Sequence, residues 1–441
     1  MLSRIKLIWF CSFVLLTIPV LNAQDKVKHL LLQQAIDSAL INNRDIRLAQ
    51  ADEKIAVSRL KETNAIFLPQ VDFSFTALNS NNPLNVFSFK LQQQSVKETD
   101  FAPALLNHPD NASDFLSRLQ LKQPILNMDM LYMRKAAATQ TDLYKLKTRR
   151  IKEYLAFEVM KAYMQLQLAY DATVVLEEAL KTANAMYTFT SNRVQEGLMQ
   201  QSDALNVKVR VNTVETNLAE AKSNIQTASD YLSLLMGCSY GIVYTVEKTL
   251  AETSKIESSE TIPGNRADFA AMKKAIEASD LMIRSSKMSY LPKVNAFASY
   301  QLNDNRVMGF GSDSYLAGIQ LSWDIFKGNS TKNKIVTQTL ERDKLSDQLH
   351  NQQEQSQLEL NKTKRQQADA KYRINQQNSA VSSAAEALRI LEDRYEQGLV
   401  NSTDVLLAQA QLSQQKLQLA QAVFGQNISA AYLKFLTETS E

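Results

Sequence analysis

Residues 193–203 read Arg-Val-Gln-Glu-Gly-Leu-Met-Gln-Gln-Ser-Asp, and 201 positions later residues 394–404 read Arg-Tyr-Glu-Gln-Gly-Leu-Val-Asn-Ser-Thr-Asp. Each stretch closes one long run of helix formers and opens another. Residues 125–196 hold neither Gly nor Pro, and neither do residues 329–397. Each run is about 70 residues, which at 1.5 Å per residue makes a helix of roughly 100 Å, far beyond a compact domain and typical of a coiled coil or helical array. Sevenfold spacing supports this. Ile374, Val381, Leu388 and Tyr395 form one seam with Ala384 and Leu391. Leu166, Thr173, Leu180, Tyr187 and Val194 form another with Leu176 and Ala183. Large and small residues at this period pack as a helix seam.

Inside the repeated turn, Gly197 and Gly398 sit where a helix ends and a left-handed residue is favoured. Ser202 and Thr403 suit the N-cap of the next helix, which would put Asp203 and Asp404 at its first position, where the helix dipole favours negative charge. Arg193 and Arg394 fall in the preceding last turn, where positive charge is favoured. Capping accounts for the whole motif. A compatible second reading places both turns at one end of a tube, so that several subunits present a ring of Asp203 and Asp404 carboxylates that biases a pore toward cations.

Other features repeat as well. Phe67-Leu68-Pro69-Gln70-Val71 returns as Tyr290-Leu291-Pro292-Lys293-Val294. A period above 200 residues is a duplication, not a solenoid. The expected first repeat covers 24–236: helix 30–64, strands 66–78 and 115–126, long helix 127–195, tip turn 196–201 and helix 202–236. A connecting segment covers 237–264. The second repeat covers 265–441: helix 266–288, strands 290–303 and 314–326, long helix 329–395, tip turn 396–401 and helix 402–437.

The four strands alternate with period two. Phe67, Val71, Phe73, Phe75 and Ala77 oppose Gln70, Asp72, Ser74 and Thr76; Leu119 and Leu121 oppose Arg118, Gln120 and Lys122. Tyr290, Val294, Ala296, Ala298 and Tyr300 oppose Lys293, Asn295, Ser299 and Gln301. Tyr315, Ala317, Ile319, Leu321, Trp323 and Ile325 oppose Gln320, Ser322 and Asp324. Strands of this length with aromatic ends suit an outer-membrane barrel, polar inside and apolar outside. Four strands cannot close a barrel and open edges are not viable in lipid, so a dimer with eight or a trimer with twelve is required. The polar stretch 79–114, with Pro83, Pro103 and Pro109, reads as a long outer loop. The fold class is therefore mainly α with a membrane β-barrel, its long helices forming a coiled-coil tunnel.

Composition narrows the functions. There are 10 Gly and 8 Pro in 441 residues, about 4%, against roughly 12% in an average protein. The formal net charge is +3, which argues against nucleic acid as a partner. Arg4 and Lys6, the apolar run Leu7–Leu21 and the small-residue site Leu21-Asn22-Ala23 read as a signal peptide, 1–23, cut before Gln24. Cleavage removes Cys11 and leaves Cys238, expected as a small buried side chain at a helix end. His29, His108 and His350 are scattered, so no metal site is expected. No nucleophile–base pairing or phosphate loop is present either, so neither an enzyme nor a cofactor is expected.

The duplicated Arg-x-x-x-Gly-Leu…(Ser/Thr)-Asp turns, the Leu-Pro-x-Val strand starts at 68–71 and 291–294, Leu121-x-x-Pro124-Ile125-Leu126 and the Leu-x-x-Leu-Met-Gly helix end at 232–237 resemble the outer-membrane efflux protein family of TolC-like exit ducts. The resemblance covers nearly all of the chain after residue 23. It implies a homotrimer with a twelve-stranded barrel in the outer membrane and a twelve-helix tunnel in the periplasm. It also implies a periplasmic adaptor and an inner-membrane pump as partners. Asp203, Tyr395 and Asp404 match positions that line the closed periplasmic entrance in that family. Val400 stands where well-known members carry arginine, and Leu407 where they carry an acid, so apolar contacts in place of a salt-bridge lock are expected at the gate. The competing reading is a periplasmic coiled-coil structural or adaptor protein without a membrane barrel.

Overall fold

The computed structural model describes residues 26–247 and 261–437. The expected signal peptide, and residues 248–260 of the expected connecting segment, lie outside them. In chain order the elements are β1 (Lys26–Leu30), α1 (Leu32–Asn42), α2 (Arg44–Glu62), β2 (Gln70–Ser80), α3 (Pro83–Gln92), α4 (Pro103–Asn107), β3 (Ala112–Leu126), α5 (Met128–Gln195), α6 (Gln201–Met236), β4 (Ile242–Val246), α7 (Ala267–Met288), β5 (Lys293–Asp304), β6 (Ser312–Ser322), α8 (Ser330–Glu396) and α9 (Ser402–Thr437).

Several element boundaries differ from the sequence reading, each for a local reason. The helix expected over 30–64 is two helices. Asn43 is extended (φ −62°, ψ 140°) and its Oδ1 accepts the Asp45 N–H at 2.7 Å, so it caps a new helix mid-run. Residue 30 itself ends β1, which pairs in parallel with β4. The first long strand starts at Gln70, not 66, because Thr63–Ile66 form a 3₁₀ turn closed by the Phe67 N–H on the Asn64 carbonyl, and Pro69 has no N–H for a ladder. Strand 290–303 likewise begins at Lys293: the Tyr290 and Leu291 amides still bond back to Lys287 and Met288 of the α7 end. The strand expected over 314–326 is Ser312–Ser322, and Trp323 beyond it donates its indole N–H to the Tyr290 carbonyl at 3.0 Å. The strand expected from 115 starts at Ala112, paired with Ser80. The stretch read as an outer loop folds into α3, a 3₁₀ turn at Glu98–Phe101, and α4. Asn82 caps α3 through the Leu84 and Asn85 amides, with Pro83 in the first turn.

The chain forms two compact units. Of the described residues, one takes those of 1–36, 162–250 and 379–421, and the other takes those of 37–161, 251–378 and 422–441. The second unit carries one antiparallel sheet in the order β2-β3-β5-β6. Cross-strand partners share a face, so the register sorts the side chains. Phe73, Leu119, Tyr300 and Tyr315 stand in one row, and Val71, Leu121, Ala298 and Ala317 in the next. The opposite face carries the row Ser74, Arg118, Gln301 and Ser314, joined by Arg118–Gln301 and Gln301–Ser314 hydrogen bonds. Phe297 is an aromatic on this polar face. Its cross-strand partner Gly318 makes room, since a Cβ there would sit 3.0 Å from the ring.

The helical part of this unit packs around aromatics. Phe157 lies 5.5 Å from Phe435 and 5.2 Å from Tyr432, and Leu360, Leu433 and Leu436 are fully buried beside them. Arg266 is buried, paired with both oxygens of Asp268 at 2.7 Å, and donates to Ser356 at 2.8 Å. Gln352 donates to the same Asp268 carboxylate at 2.9 Å, so this one cluster ties α7 to α8.

In the first unit, β1 and β4 dock on α5 and α6 through tyrosines. The Tyr163 hydroxyl donates to the Leu30 carbonyl at 3.0 Å, and the Tyr170 hydroxyl to the Tyr244 carbonyl at 2.9 Å. Cys238 is exposed, contrary to expectation. Gly237 at φ 66° turns the chain out of α6 just before it, so the cysteine side chain never joins the helix seam.

Candidate functional site

Both tip turns lie in the first unit. α5 ends at Gln195, and the chain reverses with two bonds: Gly197 N–H to Val194 O at 3.0 Å and Leu198 N–H to Arg193 O at 2.8 Å. α8 ends the same way, with Gly398 N–H to Tyr395 O at 3.0 Å and Leu399 N–H to Arg394 O at 2.9 Å. Both pairs are Schellman closures, and Gly197 (φ 74°) and Gly398 (φ 76°) occupy the left-handed position they need. Arg193 and Arg394 thus supply the carbonyls that close the turns. The Arg193 guanidinium also lies over the Phe189 ring at 5.2 Å.

The helix starts are offset from the sequence reading. α6 begins at Gln201, so Ser202 is its second residue and Asp203 its third. The Asp203 carboxylate reaches back to accept the Gln200 N–H at 3.3 Å, while the Ser202 hydroxyl donates to the Gln200 side chain at 3.3 Å. In α9, Asn401 takes the capping role: its Oδ1 accepts the Asp404 N–H at 3.0 Å. Ser402 and Thr403 are the first two residues of that helix. Ser202 and Thr403 are therefore not the N-caps. The Asn401 side chain fills that place in α9, Gln200 stands there in α6 with its backbone carbonyl accepting the Asp203 N–H at 3.1 Å, and the aspartates move to the third position, where a carboxylate can still bond the amide ahead of the helix.

Tyr395 joins the two turns. It is buried, and its hydroxyl lies 2.8 Å from Thr190 Oγ1 and 3.8 Å from the Met199 sulfur. Its ring meets Phe189 at 5.2 Å. Around it Met186, Val207, Leu388, Val405 and Leu412 form one buried cluster, against which Val400, Met199 and Leu406 pack. Among the sequence candidates, then, Tyr395 and Val400 meet in one apolar core. Asp203 and Asp404 sit half-buried at its edge. Leu407 faces outward. Near the end of α8, Glu392 is half-buried, and burial, followed by the charges of Asp393 and Glu396, pushes its carboxyl above the usual range. Two ion pairs hold the helices behind the turns, Lys222 to Glu177 at 3.2 Å and Lys416 to Glu178.

Thr190, Met199 and Glu392 escaped the sequence reading. Thr190 lies seven residues before Gly197, about two helical turns outside the repeated motif, and Met199 is inside it but is an uncharged residue with no capping role. Among the described residues no cluster of three or more His, Cys, Asp or Glu is placed to hold a metal ion. No described helix is long and apolar enough to cross a membrane.

Comparison with known proteins adds three findings. The family model described as "Outer membrane efflux protein" matches residues 35–238 and 260–437. The cation efflux system protein CusC of Escherichia coli K12 is 24% identical over 268 residues, 59% of this chain but 53% of CusC, so the match spans about half of that relative. Outer membrane protein TolC of Salmonella enteritidis is 21% identical over 427 residues, 92% of this chain and 82% of TolC. Among solved structures, CusC superposes with a TM-score of 0.77 at 17% identity, covering 92% of both chains. VceC of Vibrio cholerae superposes at 0.75 with 19% identity, covering 92% of this chain and 96% of that one. These likenesses show that the fold is that of outer-membrane channels.

Proposed function

Because this chain belongs to the outer membrane efflux protein family, we propose that it is the outer-membrane exit duct of a tripartite efflux or type I secretion machine, passing cargo from periplasm or pump to the exterior. The observation that carries the proposal is the sheet. Its apolar face is bare in the single chain, with Tyr315 82%, Ile319 72% and Phe73 67% exposed. Its outer strands β2 and β6 each have one edge without a strand partner in the sheet. Hydrocarbon satisfies the face, but only strands of other copies satisfy the edges. Three copies would give a twelve-stranded barrel, and their long helices a coiled-coil tunnel.

The partners follow from that reading: a homotrimer, a periplasmic adaptor and an inner-membrane pump that supplies the energy. A passive duct needs no catalytic group, cofactor or metal, and the relatives are channel proteins. The paired tip turns are the gate. Tyr395 and Val400 hold the turns together by apolar packing and one hydroxyl bond, and Asp203 and Asp404 place carboxylates around the entrance. A structural coiled-coil protein without a barrel leaves the apolar face and both edges unexplained.

Membrane extraction tests the reading. The chain should leave outer membranes only with detergent, migrate at the mass of three copies, and form ion-conducting steps in planar bilayers. A monodisperse species in detergent-free buffer would overturn it.

A further inference from the structure

Residues 82–111 are a built element rather than a loop. Val86 and Phe89 are buried, Phe87 packs edge-on to Phe101 at 5.7 Å, and Lys90 pairs with Asp100 at 2.7 Å. This small helical insertion joins β2 to β3 at the end of the sheet away from α2, α5, α7 and α8. Its attachment is specific. Gln93 Nε2 donates to Asp114 Oδ1 and to the Ser113 carbonyl, both at 2.9 Å. The Gln92 carbonyl accepts the Ser312 hydroxyl at 2.6 Å. Asn303 Nδ2 donates to Asp114 Oδ2 at 2.8 Å. Asp114, Asn303 and Ser312 are each 5% exposed or less, and the insertion adds the bonds that satisfy them.

The register decides which way the insertion leans. Thr76, Leu116, Asn303 and Ser312 form one cross-strand row, two residues along from Ser74, Arg118, Gln301 and Ser314. Asp114 is two residues further along β3, on the same face. All three anchors therefore stand on the polar face, opposite Phe73, Leu119 and Tyr315.

We propose that the α3–α4 insertion folds inward across the polar face and forms a constriction at the outer mouth of the channel, latched by Gln92 and Gln93 onto Asp114, Asn303 and Ser312. The proposal rests on the duct reading, in which the polar face lines the lumen. A helix with its side chains is about 10–12 Å across. Eight-stranded barrels are filled by side chains, while barrels of sixteen or more leave an aqueous channel. A twelve-stranded lumen lies between these, and three inward-leaning helices narrow it substantially. The passage then has two narrow points, the gate at the tip turns and this outer ring.

Two variants test it. Ser80 and Ala112 are cross-strand partners, so a short Gly-Ser turn in place of 82–110 closes the hairpin without shifting the register. Gln93→Glu keeps the insertion but sets a second carboxylate against Asp114 and releases the latch. Both are purified in detergent, checked for the intact oligomer on unheated gels, and compared with the unaltered chain for single-channel conductance in planar bilayers. The deletion should raise conductance about twofold or more, and Gln93→Glu should raise it in the same direction. Equal steps in all three proteins overturn the constriction and leave the duct. A rise in the deletion alone keeps the constriction and overturns the latch. No conducting steps in any of the three, with the oligomer present, overturns the duct reading itself.

Discussion

At the scale of single residues, the tip is held by Tyr395 more than by charge. Its hydroxyl meets a fully buried Thr190. Tyr395→Phe removes a buried bond and leaves that threonine without its cross-helix partner, a cost of about 1–2 kcal/mol. Helical circular dichroism on heating in detergent should show the loss. The two aspartates are not equivalent. Asp203 also caps α6, so Asp203→Asn should weaken the turn as well as the local charge, whereas Asp404→Asn should alter charge alone. The double variant should lower the cation preference of single channels, and unchanged selectivity would leave these residues a structural role only. Glu392 gives a pH dependence of definite sign. Its folded-state carboxyl binds a proton more readily than in the unfolded chain. The penalty it imposes is present above its raised pKa and disappears as pH falls below the unfolded value of about 4.3. Glu392→Gln should remove this gain in stability on acidification. These roles were partly legible in the repeated motif. Gly197, Gly398 and both aspartates stood out because turn chemistry restricts residue type. Thr190 did not, because its role depends on a helix some 200 positions away.

At the scale of elements, the glycine turns and the buried charge cluster carry separate predictions. A Cβ at Gly398 meets nothing within 4 Å, so Gly398→Ala incurs only the backbone cost of the left-handed conformation, roughly 1–2 kcal/mol. The same substitution at Gly425, inside α9 and with positive φ absent, should be neutral to stabilising. Comparing the two by thermal unfolding separates turn strain from helix propensity. Asp268 answers to pH with the opposite sign from Glu392. Burial raises its carboxyl, but the Arg266 hydrogen bonds and the charges of Arg266 and Arg150 outweigh burial and hold it below the usual range. Its contribution is present above the unfolded pKa of about 3.9 and lost as pH falls through the folded value. Asp268→Asn should flatten that acid limb. Long helices and strand pairs were legible because their periods persist over many residues. The Asn43 restart, the β1–β4 pair and the α3 cap at Asn82 were not. Each depends on one side chain, or on a five-residue strand whose partner lies over 200 residues away.

At the scale of the whole molecule, the sheet decides the habitat. Ile319→Lys places a charge on the apolar face at a cost of about 2–4 kcal/mol if it lies near the bilayer midplane. It should reduce assembled oligomer in outer-membrane fractions. Gln320→Lys, one residue on and on the other face, should assemble normally. The strand pattern left the number of copies open between two and three, because it reports which face meets lipid and not how many edges must meet; only the family resemblance implied three.

The two open edges of the sheet have a genetic consequence. In the proposed ring each member must bring a sound β2 edge and a sound β6 edge, so one faulty chain would spoil the assembly it enters. A proline in β6, made beside an equal amount of the normal chain, would leave only about one ring in eight wholly normal if three copies mix at random. Damage to this edge should therefore behave as dominant, while a chain that never reaches the membrane should behave as recessive.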